Sequence, residues 1–137
     1  MYYKYIVILF VSLIRYPSWA SSSLPLTSLS EHYKITAQPI EKSIKLNKIQ
    51  SWSITIKDNT GAPVQGLSFE VNGGMPTHQH GFPTQPKLIQ EAMPGEYIID
   101  GLKFNMTGRW EIELINLKLT PPLNILIELD LDHENAK

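Results

Sequence analysis

Length, composition and charge limit what this chain can be. It has 137 residues, enough for one domain, with a formal net charge of −1 and no cysteine. The lack of cysteine excludes disulfides, thiolate catalysis and cysteine-based metal sites. The charge does not favour nucleic acid or an anionic membrane surface as a partner, since both are bound by basic patches.

Residues 1–20 are interpreted as a signal peptide. Lys4 precedes an apolar run of ten residues, 5–14, and Ser18 and Ala20 are the small residues that a signal peptidase selects. About twenty apolar residues are needed to span a bilayer, so we expect cleavage after Ala20 and no stable membrane insertion afterwards. The alternative is an uncleaved N-terminal anchor, which Arg15 favours. The chain without its leader has 10 basic and 13 acidic residues, a net charge of about −3.

Next in the chain, residues 21–30 are polar and are expected to be a flexible lead-in. Apolar and polar residues then alternate, which is typical of strands with one face in a core and the other in water. Turn residues separate the alternating segments at the spacing of an immunoglobulin-like sandwich. The prediction is an all-β, antiparallel β-sandwich of about seven strands, followed by a polar tail over 132–137. The strands are expected at 33–37, 52–56, 67–71, 87–90, 96–101, 110–114 and 125–131.

Two tryptophans begin alternating apolar series in this pattern. Trp52 precedes Ile54 and Ile56, and Trp110 precedes Ile112 and Leu114. Both indoles are therefore predicted to lie in the core, on facing sheets.

One segment, residues 73–84, breaks the alternation and carries two of the four histidines, His78 and His80. In extended backbone, residues two apart point to the same side, so both imidazoles could share a ligand. Met75 lies three residues upstream, and Met106 precedes a strand expected to run beside this loop. Imidazole and thioether together favour copper. The alternative is a structural loop in which the histidines bond the backbone and the methionines fill gaps.

The segments Met-Pro-Thr-His-Gln-His-Gly (75–81) and Phe-Asn-Met-Thr-Gly-Arg-Trp (104–110) resemble the YtkA-like domain, which is related to FixH-like exported proteins. The resemblance covers about residues 33–131, and the domain is expected over 31–131. It implies an immunoglobulin-like sandwich outside the cytoplasmic membrane, in the periplasm or secreted. It also implies copper handling or haem–copper oxidase assembly. The matching positions are Met75, His78, His80, Met106 and Trp110. FixH-like proteins keep a membrane anchor, whereas this chain is expected to lose its leader.

Two functions follow as hypotheses. The first is an exported copper-binding module that serves as a carrier or assembly aid, with Met75, His78, His80 and Met106 as ligands and a copper-dependent envelope protein or an oxidase-assembly factor as its partner. The second is a protein-interaction module of the cell envelope with a purely structural histidine loop. An enzyme is not expected, since no serine stands in a nucleophile elbow.

Overall fold

The computed structural model describes residues 23–133 as nine strands and one short 3-10 turn. The predicted leader, residues 1–20, lies outside the described residues, as does the tail beyond His133. The strands are β1 Leu26–Leu29, β2 Tyr33–Pro39, β3 Ile49–Asp58, β4 Glu70–Met75, β5 His80–Gly81, β6 Lys87–Met93, β7 Glu96–Lys103, β8 Gly108–Asn116 and β9 Leu123–Leu131, and the 3-10 turn is Pro76–His78.

The strands form two antiparallel sheets, in the orders β1-β2-β3-β7-β6 and β5-β4-β8-β9. If β2, β3, β4, β6, β7, β8 and β9 are lettered A to G, these sheets contain A-B-E-D and C-F-G. That is the strand order of an immunoglobulin constant-type sandwich. The short β1 and β5 are additional strands on the outer edges of A and C. The predicted fold class is confirmed.

Alternating burial explains why these segments are strands. Along β2 and β9 every second side chain is buried, so one face of each strand meets the other sheet. Trp52 on the five-stranded sheet and Trp110 on the four-stranded sheet are both 0% exposed, as predicted. Phe104 lies between them, with ring centres 5.9 Å from Trp52 and 5.3 Å from Trp110.

All seven predicted strands are present, and one of them begins later than predicted. The segment predicted from Leu67 becomes regular strand only at Glu70. The backbone N–H of Leu67 donates instead to the hydroxyl of Tyr97, 3.1 Å away, so it does not join a strand ladder. Phe69 is nevertheless buried, as the alternation requires.

The lead-in expected over residues 21–30 needs correction. Leu26–Leu29 pair with β2 from Leu26 opposite Ala37 to Leu29 opposite Lys34. Leu26 is 5% exposed and belongs to the core, so this segment gains enough apolar burial to be ordered. The sandwich therefore begins before the expected residue 31.

A search of the described residues found no helix of the length and hydrophobicity needed to cross a membrane.

Candidate functional site

The two histidines lie on a tight hairpin at one end of the sandwich. β4 ends at Met75, the 3-10 turn follows, and β5 returns so that His80 pairs with Met75 and Gly81 with Gly74. The return requires Gly74, whose φ is +151° and where a side chain would collide with the carbonyl oxygen of His80. The hairpin therefore depends on the absence of a side chain immediately before Met75.

The hairpin brings the predicted pair of imidazoles together. His78 and His80 are both exposed, and their ring centres are 5.9 Å apart. The extended backbone expected between them is not present, because Gln79 is left-handed, with φ 54°. Two imidazoles on one ion, at metal–nitrogen distances of about 2.0–2.1 Å, have ring centres about 5–6.5 Å apart. The observed spacing fits such a pair.

A local hydrogen bond selects the tautomer of the neutral His80 ring. Its Nδ1 lies 2.9 Å from the carbonyl oxygen of Gly81. A carbonyl can only accept, so Nδ1 carries the proton in the neutral ring and Nε2 keeps its lone pair. A backbone carbonyl on the second ring nitrogen is the usual partner that orients a metal-binding histidine.

An aromatic cluster supports the hairpin from the core side. The imidazole of His80 meets the indole of Trp110 edge to face, at 5.8 Å between ring centres. Phe82 stacks on the same indole at 5.6 Å with an interplanar angle of 11°, and it also contacts Phe104. These contacts hold His80 against a rigid surface, although its ring faces solvent.

Phe82 and Phe104 were not among the site residues predicted from the sequence. Their spacing was an available signal, because Phe82 follows His80 by two residues and Phe104 precedes Met106 by two. In extended backbone that spacing places side chains on one face.

Met106 is connected to the hairpin through the same indole. Trp110 Nε1 donates to the carbonyl oxygen of Met106 over 3.0 Å, which fixes the backbone before β8. Met106 is 38% exposed, so it lies at the surface of the sandwich. Trp110 thus contacts His80 with its ring and Met106 with its N–H.

Met75 lies on the core side of the hairpin. Residues opposite each other in an antiparallel ladder share a face, so Met75 and His80 project to the same side. Met75 is 0% exposed, and its methyl carbon lies 2.8 Å from where a Cβ on Gly108 would be. This methionine fills the space that Gly108 leaves empty, as the gap-filling interpretation expects.

Of the four predicted ligands, the structure therefore brings His78 and His80 together and attaches the Met106 backbone to the indole that His80 contacts. Met75 packs against Gly108. Among residues 23–133 no group of three His, Cys, Asp or Glu side chains is arranged to hold a metal ion. The two imidazoles fit an ion, and among the described residues no third His, Cys, Asp or Glu joins them as a ligand.

The two motifs are therefore parts of one structure. His80 and Phe82 contact Trp110, and the end of the Met75 side chain lies where a side chain on Gly108 would be. The class of protein defined here is an antiparallel sandwich of immunoglobulin strand order, with a histidine hairpin resting on a buried tryptophan.

The YtkA-like family model matches residues 27–114, and the chain belongs to the YtkA-like family. The match runs from β1 into β8 and includes both motifs. Neither a curated protein nor a solved structure matched the chain.

Proposed function

We propose that this chain is an exported metal-binding module of the periplasm or the exterior, that its ion is copper, and that it serves as a carrier or assembly aid. The observation that carries the proposal is the exposed His78–His80 pair, whose ring centres are 5.9 Å apart. The bond from His80 Nδ1 to Gly81 supports it, because it leaves Nε2 available to an ion.

The methionines favour copper over other ions. Thioether sulfur is a soft ligand that Cu(I) accepts, whereas calcium and magnesium take oxygen ligands and zinc takes thiolate, imidazole or carboxylate. Met106 is the more exposed of the two methionines, at 38%, while Met75 is 0% exposed. A blue-copper centre is not part of the proposal, because it needs a thiolate and the chain has no cysteine.

The partner in this proposal is a copper-dependent envelope protein or an oxidase-assembly factor. Support comes from the family resemblance and from the exposure of both imidazoles, which a receiving protein can approach directly. The relation to FixH-like proteins is part of the same hypothesis.

The second candidate is a protein-interaction module of the cell envelope with a structural histidine loop. The burial of Met75 against Gly108 favours it, because a thioether packed in the core needs no ion to explain it. The bond from His80 to its neighbouring carbonyl is also compatible with a loop that is simply stiffened.

Metal titration of purified residues 21–137 separates the two candidates. The copper proposal expects one equivalent of Cu(I), measured by competition with a chromophoric chelator, and loss of binding in His78→Ala with His80→Ala. The matched control is His32→Ala, since His32 precedes β2 at the opposite end of the sandwich, where Tyr33 pairs with Asp58. If the wild-type protein takes up no copper, the copper proposal is wrong and the interaction module is the remaining candidate.

A further inference from the structure

Trp110 connects the two ligand-bearing segments of the candidate site. Its ring meets His80 at 5.8 Å between ring centres, and its Nε1 donates to the carbonyl of Met106 over 3.0 Å. The side chain is 0% exposed, so it presents no surface for a ligand of its own. Its contacts are those of a residue that holds other groups in place.

The packing around Trp110 makes this connection rigid. Phe82 stacks on one face of the indole at 5.6 Å, and Phe104 meets it at 5.3 Å. A buried indole between two aromatic rings has little rotational freedom. Movement of the Met106 turn away from the hairpin would therefore break the hydrogen bond to Nε1.

We infer that Trp110 is the positioning residue of the metal site: its ring supports the His80 imidazole and its N–H fixes the backbone at Met106, so that an ion accepting both nitrogen and sulfur is preferred. This assignment rests on the proposed function. It extends the proposed function by assigning to Trp110 the preference for Cu(I) over an ion that only the imidazoles bind.

This role predicts that a substitution at Trp110 changes the affinities for two ions to different extents. Ni(II) is well suited to imidazole and has little use for thioether, whereas Cu(I) uses both. Replacing Trp110 by Phe keeps an aromatic ring near His80 and removes the N–H that holds Met106. The substitution should therefore weaken Cu(I) binding and leave Ni(II) binding nearly unchanged.

Trp52→Phe provides the matched control. Trp52 is equally buried and also contacts Phe104, but none of its ring contacts is with a histidine, and its Nε1 has no hydrogen-bond acceptor in the described part of the chain. Both variants remove an indole from the same core. A general effect of loosened packing would appear in both.

The experiment measures Cu(I) affinity by chelator competition and Ni(II) affinity by calorimetry, on residues 21–137 of wild type, Trp110→Phe and Trp52→Phe. Loss of a residue that orients metal ligands typically lowers affinity about 10–100-fold. We expect a loss in that range for Cu(I) with Trp110→Phe, a change below about twofold for Ni(II), and neither loss with Trp52→Phe.

Three results would overturn the assignment. Unchanged Cu(I) affinity in Trp110→Phe refutes the positioning role while leaving the proposed function intact. Equal losses for Cu(I) and Ni(II) show that the substitution only damages the fold. Wild-type protein that binds neither ion refutes the proposed function, and the assignment with it.

A fluorescence measurement does not require Trp110→Phe to fold. In Trp52→Phe, Trp110 is the remaining tryptophan of residues 21–137. Because His80 contacts this indole, one equivalent of Cu(II) should strongly quench its emission, and His80→Ala in the same background should remove most of the quenching. Emission that stays constant at stoichiometric loading contradicts the assignment.

Discussion

The methyl carbon of Met75 lies 2.8 Å from the position that a Cβ on Gly108 would occupy. This contact joins the histidine hairpin to the start of β8, and it explains why a glycine stands two residues before Trp110. Met75 is 0% exposed, so its methyl cannot move aside into solvent.

We predict that Gly108→Ala is destabilising. The new methyl would displace Met75 within a packed core, and Gly108 has φ +121°, where an L-residue is strained. The expected loss in the free energy of unfolding is about 2–3 kcal/mol, mostly from backbone strain, because the atom that the new methyl meets is the end of a flexible side chain. Urea denaturation measures it.

Gly61→Ala is the control for that measurement. Gly61 also has a positive φ, +88°, but nothing lies within 4 Å of its would-be Cβ. The loss in the free energy of unfolding of Gly61→Ala should come from backbone strain alone, about 1–2 kcal/mol. Equal costs for the two variants would show that the contact with Met75 carries no energy.

The two core tryptophans should respond differently to substitution by Phe. Trp110→Phe loses the hydrogen bond to Met106, whereas Trp52→Phe removes a buried N–H for which no described residue is an acceptor. Trp110→Phe should therefore be less stable than Trp52→Phe by about 1–2 kcal/mol, although both side chains are fully buried. Equal denaturation midpoints for the two variants would contradict the hydrogen-bond argument.

Glu91 should make stability depend on pH. Its carboxylate accepts from the backbone N–H of Gly95 at 2.8 Å and of Gly66 at 2.9 Å, and these bonds, that of Gly95 above all, lower its pKa. A lowered pKa in the folded state means that the stabilisation is complete above the unfolded value of about 4.3, and is lost as the pH falls through the folded value.

Glu91→Gln should therefore be less stable than wild type near pH 7, and the difference should shrink as the medium is acidified below about pH 4. Urea denaturation at several pH values measures it. Glu70→Gln, at an exposed position of β4, is the control. A difference between wild type and Glu91→Gln that stays constant with pH would contradict the role of the carboxylate charge.

We predict that the chain is exported and that the mature protein begins at Ser21. The apolar run of ten residues is too short to cross a bilayer, and Ser18 and Ala20 fit a cleavage site. Intact-mass analysis of the protein recovered from the periplasm or medium tests this. A chain that retains Met1 and sediments with membranes would support the uncleaved anchor instead.

The strands were predictable because their signal is local. In β9 the order Ile125, Ile127, Leu129 places an apolar side chain at every second residue, which is typical of a strand with one buried face. The burial of Trp52 and Trp110 followed from the same alternation. The two histidines were found because they interrupt it.

Tertiary structure decided which groups meet. The ordering of Leu26–Leu29 depends on pairing with β2, and the site depends on contacts between residues about thirty positions apart, such as His80 and Trp110. No local pattern predicts that Met75 fills the space at Gly108, or that the Trp110 N–H donates to the carbonyl oxygen of Met106. Periodicity reports which face of a strand is buried; which side chains share that buried space is set by the packing of one sheet against the other.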